Sequence, residues 1–519
     1  MTSDIAQMYR QILVHPDHHK FQRILHYHDD TISTFELQRV TFGVSAAPFL
    51  ATRTINKLAD DERHNFPNAS TILKRDLYVD NLLTGTNSLS EILQLRDEII
   101  QLVRKGGFEL RQWASNHKHA LDNFDQRTLD LDCAINDDPI SKTLGVYWNS
   151  LTDEFIYTVN SLDSLRKITK RTILSDVAKI FDPLGILGPV VLAAKTMIQA
   201  CWKAKVHWDE AIPQNLHTLW CKFAEQLPLI REFAVDRNIV IPNAIHIEIH
   251  GFCDASQIGY GACLYIRSMN QQGQIMVNLA CSKSRVAPIK DVTIPKLELC
   301  AAQLLSRLYK EALPAFDFTC NKIIFWSDST IVLQWLKRSP HTLKVFESNR
   351  VSEIQALGKD IEWRHIRTCD NPADSLSRGQ LPSEFLKNKM WFKGPTWLSQ
   401  DSNTWPISIQ SVPSELPDNR LSVWQFITKA RQDFWKRWYL EYLHELQTRQ
   451  KWHTTQGEIK PNQIVLLMDR NQPCMLWQLG VVVELHPGDD GVTRLASIRT
   501  SRGLFKRNIT LLCPLPINT

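Results

Sequence analysis

Residues 245–256 read IHIEIHGFCDAS, and the fold of the chain turns on them. Ile245 to His250 alternate apolar and polar residues with period two, which predicts a half-buried strand, and Gly251 to Ser256 break that pattern with Asp254 at or near the strand's end. A carboxylate is an unusual residue there. Two further strand-like runs follow, GYGACLYIR at 259–267 and QIMVNLACSKS at 274–284, so the stretch predicts a three-stranded antiparallel meander.

Downstream the period changes. In TIPKLELCAAQLLSRLYKEAL, 293–313, Pro295 opens a helix on which Leu297, Ala301, Leu304 and Leu308 form one stripe, with Glu298 beside it. KIIFWSDS, 322–329, is a new strand ending in Asp328, and TIVLQWLKR reads as a helix. IEWRHIR, 361–367, is a last strand, and NPADSLSR, 371–378, turns into a helix with Asp374 in its first turn. The order is β-β-β-α-β-α-β-α, with acids on the first strand, first helix, fourth strand and last helix.

A single Asp near a turn is ordinarily a solvated surface residue, but four acids on these elements point to shared work. Like charges held together need a cation, and hard carboxylate oxygens select Mg²⁺ or Mn²⁺. Two such ions roughly 3.5–4 Å apart activate a water and stabilise the leaving oxygen in phosphodiester cleavage. Cys253 and Cys263 read as core strand residues.

The composition sets wider bounds. At 519 residues, with 43% hydrophobic and 22% charged, the chain is long enough for about three domains and is not a disordered tail. A net charge of +5 is small for this length, so any nucleic-acid surface must be a local patch. Eleven cysteines are scattered singly without zinc-ligand spacing, which predicts a reduced compartment. The N-terminus, MTSDIAQMYRQ, has no leader character, and the apolar stretch from Ile186 to Ala194 is interrupted by Gly188 and Pro189. An intracellular protein of cytoplasm or nucleus is expected, not secreted and without a membrane partner.

A second acidic pair lies near the start: Asp4 in DIAQMYRQI, with Tyr9 five residues on, and Asp80 in RDLYVDNLLTG, where Tyr-Val-Asp between apolar residues predicts a tight hairpin with the acid at its tip. The stretch 168–210 reads as two helices around FDPLGILGP, with Trp202, Trp208, Lys203 and Lys205 as core residues or backbone contacts to a duplex. Residues 423–452 read as a long amphipathic helix bearing Arg and Lys. The strand-like runs from 463 to 515, with a Gly-Asp-Asp-Gly turn, suggest a small barrel on which Arg494, Arg499, Arg502, Lys506 and Arg507 bind phosphates or line a solvated rim.

These motifs resemble the Pol polyprotein of BEL/Pao retrotransposons. GFCDAS, SKSRVAPIKDVTIPKLELC, FWSDS, NRV and NPADSLSRG look like its ribonuclease H-like segment; TFGVSAAPFLATR, LYVDN, GGFELRQWASN and KTLGVYW look like its reverse transcriptase palm. The resemblance implies Asp254, Glu298, Asp328 and Asp374 as nuclease metal ligands acting on the RNA of an RNA–DNA hybrid. It implies Asp4 and Asp80 as polymerase metal ligands on a template-primer, Tyr9 as the gate against ribonucleotides, and Phe42 and Gly43 near nucleotide and template. The C-terminal run resembles the module after the integrase core, and more loosely an SH3-like tail.

Five departures narrow this. Thr368-Cys369-Asp370 stands where many ribonucleases H have a mobile histidine. Asn81 replaces the second Asp of the Tyr-x-Asp-Asp hairpin, and the chain starts almost at Asp4, so RNA-directed DNA synthesis is expected to be impaired and the fingers absent. No Asp-Thr/Ser-Gly triplet supports the peptidase label attached to the middle region, and no integrase core precedes the tail.

The expected architecture is multidomain α/β and α+β: a truncated palm at 1–150, a helical connection at 151–240, a ribonuclease H-like mixed sheet at 241–380, a junction at 381–419 whose part from Gly394 to Asn419 is rich in Ser, Pro, Asp and Asn with isolated Trp, and a helix plus small β-barrel at 420–519. Other retroelement proteins are candidate partners. The competing reading is a non-catalytic nucleic-acid-binding remnant of a decayed element, or of a gene prediction that splices across the missing parts.

Overall fold

The structure, a computed structural model, describes residues 1–28, 30–122, 124–125, 128–129, 140–143, 145–159, 166–358, 360–406, 459–467, 477–488, 493–501 and 503–515. No helix among them is long and apolar enough to cross a membrane. The chain divides into two compact units, 1–334 with 353–412 and 335–352 with 413–519.

The first unit begins with β1 (Thr2–Ile5), a ribbon of β2 (Arg23–His28) and β3 (Thr31–Glu36), a short hairpin of β4 (Leu77–Tyr78) and β5 (Asn81–Leu83), and β6 (Leu110–Ala114). The sheet order is β4-β5-β1-β6. The helices Ala47–Asp61, Pro67–Arg75 and Leu89–Lys105 share a core with it around Ile5, Ile55, Leu73, Ile99 and Trp113. The last of these helices starts because Ser88 accepts the amide of Glu91, and Ile92, Leu95, Ile99 and Leu102 recur at helical period to make its buried face.

Next come β7 (Ile140–Thr143), β8 (Val146–Asn149), β9 (Glu154–Ile156) and β10 (Ala234–Asp236), in the order β10-β9-β8-β7. The boundary expected at 150 therefore falls inside a sheet, between strands paired through Trp148 and Phe155. Asp153 explains why the chain returns there: it accepts the Trp148 indole at 2.9 Å and both arms of the Arg237 guanidinium at 2.6 and 2.7 Å. The two expected helices form, at Lys170–Ala178 and Gly188–Lys203, and a third follows at Gln214–Gln226.

The meander from the opening stretch forms as β11 (Ala244–Ala255), β12 (Gly259–Asn270) and β13 (Ile275–Val286), and β14 (Lys322–Ser327) and β15 (Ile361–His365) extend it in parallel, giving β13-β12-β11-β14-β15. The connecting helices are not a separate domain. One continuous core runs from Tyr157 through Val190, Met197 and Phe223 to Phe252, Tyr265, Trp326, Leu376 and Trp405. At Gly185, φ +74°, a Cβ would stand 2.0 Å from the carbonyl oxygen of Ser282, so the FDPLGILGP loop lies directly on β13 and only glycine fits.

Residues 381–406, expected as a junction, are part of this core as well. Trp391 and Leu398 are fully buried, and Trp397 and Trp405 nearly so. The polar composition misled because each isolated indole carries more apolar surface than its Ser, Pro and Asn neighbours carry polar cost. The remainder of the expected junction, from 407, lies outside the described residues, as does the amphipathic helix expected at 423–452.

In the second unit, β16 (Ile464–Leu467), β17 (Gln478–Pro487), β18 (Thr493–Thr500), β19 (Gly503–Asn508) and β20 (Leu512–Pro514) form an antiparallel sheet around Val465, Val482, Ala496 and Ile498. Its order is β19-β18-β17-β16-β20, and among the described residues the two end strands do not pair. The expected barrel is thus an open sheet: alternation and turns fix strands and neighbours, whereas closure needs a ladder between the ends.

The core is pinned by a buried polar cluster at the start of β11. Glu248 accepts Arg267 Nη1 at 3.0 Å and contacts His250 Nε2 at 3.2 Å and His246 Nε2 at 3.1 Å. The rest of the Arg267 fork donates to the carbonyls of Leu398 and Gln400, at 2.9 and 3.0 Å, and so clamps the tryptophan segment onto the sheet. Burial pushes the Glu248 carboxyl up, but the hydrogen bonds of His250 and His246 and the Arg267 charge outweigh it and hold it at about 2. Glu248→Gln leaves Arg267 buried without its counter-charge and is expected to cost about 3–5 kcal/mol near neutral pH. Since the folded carboxyl titrates below its unfolded value, that stability is present above about pH 4.5 and fades towards pH 2. Urea unfolding of parent and variant from pH 7 to pH 3 checks this; a gap that is absent or grows in acid contradicts it.

Candidate functional site

The four acids of the sheet reach one end of it by different routes. β11 and β14 run parallel with Cys253 opposite Ser327, so the next residues, Asp254 and Asp328, emerge side by side at the carboxyl ends of the two strands. On β12 the residue opposite Asp254 is Gly261, and a Cβ there would lie 2.3 Å from the Cβ of Leu376. The missing side chain lets the helix Asp374–Arg378 lie against the sheet beside Asp254 and bring Asp374 with it. Glu298 comes from the first turns of the helix Ile294–Ala312, which Pro295 opens as the sequence implies.

The approach of Asp374 is fixed by its loop. Asn371 is fully buried, donates to the carbonyl of Cys253 at 3.0 Å and accepts the amide of Ala373 at 3.1 Å, tying the turn to the residue before Asp254. Ser256 donates to the carbonyl of Ser377 at 2.7 Å and closes the other side.

The acids feel one another. Burial pushes the Asp254 carboxyl up to about 7, with the charges of Asp328 and Asp374 adding to it against a hydrogen bond from Ser377. Glu298 is also raised, by burial and by Asp328, against the Ser329 hydroxyl. Each of the outer three has a protein donor: Ser329 for Glu298, Thr368 for Asp328 at 2.8 Å on Oδ2, and Arg378 for Asp374 at 2.6 Å. The other oxygen of Asp328, Oδ1, is buried without a hydrogen-bond partner.

Among the described residues no three His, Cys, Asp or Glu side chains stand as a ready-made metal-holding group. The four are neighbours, and Ser329, Thr368 and Arg378 each engage one oxygen of an outer carboxylate: Glu298 Oε2, Asp328 Oδ2 and Asp374 Oδ1. In chemistry the set suits a hard cation: oxygen donors only, an unpartnered buried carboxylate oxygen at Asp328, and an Asp254 carboxyl destabilised as an anion. Ser329, Thr368, Asn371, Ser377 and Arg378 were not singled out as partners from the sequence. Ser329 lies in the FWSDS motif and Asn371, Ser377 and Arg378 in NPADSLSR, beside Asp328 and Asp374, whereas Thr368 lies outside both motifs.

The N-terminal acids also meet. Asp4 of β1 faces Asn81 of β5, and the Ile5 amide donates to the Asp80 carbonyl at 2.8 Å. The hairpin is as tight as expected, with Val79 at φ 58°, a left-handed conformation costly for a β-branched residue. Burial and then the Asp80 charge raise the Asp4 carboxyl to about 6. Asn81 spends its amide on Asp80 Oδ1 at 2.9 Å. Tyr9 is buried with its ring 4.8 Å from that of exposed Phe42, and Gly43 has φ +85° and open space around it. In the C-terminal sheet Arg499, Lys506 and Arg507 are exposed and Arg494 is half-buried, whereas Arg502 lies outside the described residues.

Comparison with known families bears on the first of these sites. Among curated proteins none matches the chain. Residues 422–515 match a family of unknown function, DUF5641. Residues 169–329 match the family described as Pao retrotransposon-like RNaseH-like domain, a span that holds the three connecting helices, the meander, Asp254, Glu298 and Asp328 and stops short of Asp374. This similarity supports a retrotransposon-derived protein with a ribonuclease H-like fold.

Proposed function

We propose that the chain is a metal-dependent ribonuclease H-like endonuclease that cuts the RNA strand of RNA–DNA hybrids. The observation that carries the reading is the side-by-side emergence of Asp254 and Asp328 from parallel strands, with Glu298 and Asp374 brought to them by helices. Asp254, Glu298, Asp328 and Asp374 would hold Mg²⁺ or Mn²⁺, which supplies an activated water and charge stabilisation at the scissile phosphate. Asn371 and Ser256 hold the Asp374 helix against the end of β11, and Thr368 orients Asp328 in place of the histidine of many ribonucleases H.

A partial reverse transcriptase palm at the N-terminus is part of the same reading. Asp4 and Asp80 would be its metal ligands, Tyr9 its sugar gate, and Phe42 and Gly43 its nucleotide contacts. Polymerisation is impaired, because Asn81 offers a neutral amide where a second ionised carboxylate would neutralise charge. One observation favours the competing reading of a non-catalytic nucleic-acid-binding remnant: three of the four acids already have protein donors and no three form a metal-holding group among the described residues.

Incubation of the full chain with a labelled RNA–DNA hybrid and Mg²⁺ separates the two. Cleavage of the RNA strand, lost by at least about a hundredfold in Asp328→Asn, is expected, since a metal at such a site supplies several kcal/mol. If neither protein cuts, or both cut equally, the nuclease reading fails.

Asp254 gives a second prediction, read without metal. Its carboxyl titrates at about 7 in the folded chain and near ~3.9 when unfolded, so the folded state holds the extra proton and stability falls as pH rises from about 4 to about 7. Asp254→Asn removes that slope. In EDTA its melting temperature should exceed the parent's at pH 7.5 and converge with it near pH 4; equal pH slopes in the two proteins would contradict the clustering.

A further inference from the structure

The connecting helices carry an arrangement that the nuclease reading does not use. Lys170 is 3% exposed, and its Nζ donates to the carbonyl of Val206 at 2.6 Å. The same ammonium lies 3.9 Å from the ring centre of Trp202 and 4.8 Å from that of Trp208. No carboxylate pairs with it among the described residues. The two indoles meet edge to face, 5.5 Å apart at 86°, and remain open to water, with Trp202 47% and Trp208 38% exposed. Two aromatic side chains thus cover a buried positive charge and keep part of their surface open to solvent.

The surroundings have the same sign. Lys203 and Lys205 are exposed beside Trp202 without a carboxylate partner among the described residues. Arg171 lies 5.6 Å from the Trp208 ring and is held by both oxygens of Asp209, at 2.7 and 3.1 Å. The remaining acid, Glu210, accepts the backbone amide of His207. Both nearby carboxylates are therefore engaged, whereas Lys170, Lys203 and Lys205 are not neutralised.

The two indole faces and the Val206 carbonyl offset the burial of the Lys170 ammonium and leave its positive charge in place behind the rings. A ligand complementary to it has flat, stackable faces and regularly spaced negative charge. Single-stranded nucleic acid has both. A duplex keeps its base faces stacked inside, and an acidic peptide offers charge without them. We propose that Trp202 and Trp208, backed by Lys170 and flanked by Lys203 and Lys205, form a stacking platform for single-stranded nucleic acid. The proposal does not require the nuclease reading to hold.

The test is fluorescence anisotropy of a labelled oligothymidylate with the full chain in EDTA, where no metal-dependent cleavage enters. Trp202→Ala should weaken binding on the order of tenfold, and Trp202→Phe, which keeps a stacking face, should restore most of it. Lys203→Glu with Lys205→Glu, two surface changes that leave the core untouched, should weaken binding and reduce the log–log salt slope by roughly one to two. Parent-like affinity in either the Trp202→Ala or the double-glutamate variant would overturn the platform. So would duplex DNA or polyglutamate competing as well as the single strand, the second outcome marking a site for acidic peptides instead.

Discussion

The register between two parallel strands is the constraint on which the rest depends. With Cys253 opposite Ser327, β11 and β14 deliver Asp254 and Asp328 to the same edge of the sheet. A slip of one residue would turn every side chain of β14 to the opposite face and send Asp328 away from Asp254. The register is protected from both sides. Antiparallel β12 pairs along the whole of β11, and the faces of the sheet are covered, one by the helix Ile294–Ala312, where a Cβ on Gly251 would meet Leu305 at 2.6 Å, and the other by the core of connecting helices and tryptophans. The connecting helices thus act as the second layer that a mixed sheet needs on its other face.

β11 also carries two buried carboxylates with opposite fates. Glu248 near its start is surrounded by Arg267, His246 and His250 and held at about 2, fully ionised. Asp254 near its end is buried among other acids and pushed up to about 7. One end of the strand is electrostatically satisfied and binds the tryptophan segment to the sheet; the other is left in tension. That contrast distinguishes a structural carboxylate from one awaiting a counter-charge, and perturbation by burial together with like charges is the pattern associated with functional sites. The hydroxyls of Ser329 and Thr368 and the guanidinium of Arg378 relieve part of the tension on the neighbouring acids and leave Asp328 Oδ1 without a partner.

Much of this was legible in the sequence, and what was not had physical causes. The alternation of IHIEIH, the stripe of Leu297, Ala301, Leu304 and Leu308, and the acids at strand ends gave the five strands of the ribonuclease H-like sheet in chain order, though not the second helix, Val345–Gln355, between the last two strands. The merging of the connecting helices with the sheet was not readable: it rests on Gly185 lying on Ser282 and on contacts between residues far apart in the chain. The segment 381–406 was misjudged because its Ser, Pro and Asn outnumber Trp391, Trp397 and Trp405, whose burial decides its fate. At the acids, types and elements were visible, but the donors Thr368, Ser329 and Arg378 are set by tertiary approach. The C-terminal strands were recognisable singly, whereas barrel closure is a long-range property that alternation does not encode.

The central claim is that the four acids are a hard-cation site and not a relic cluster. Anomalous diffraction from crystals of the full chain grown with Mn²⁺ tests it most directly. The account predicts anomalous density between Asp254 and Asp328, within coordination distance of Asp328 Oδ1. Density absent from that edge of the sheet at saturating Mn²⁺ would contradict it.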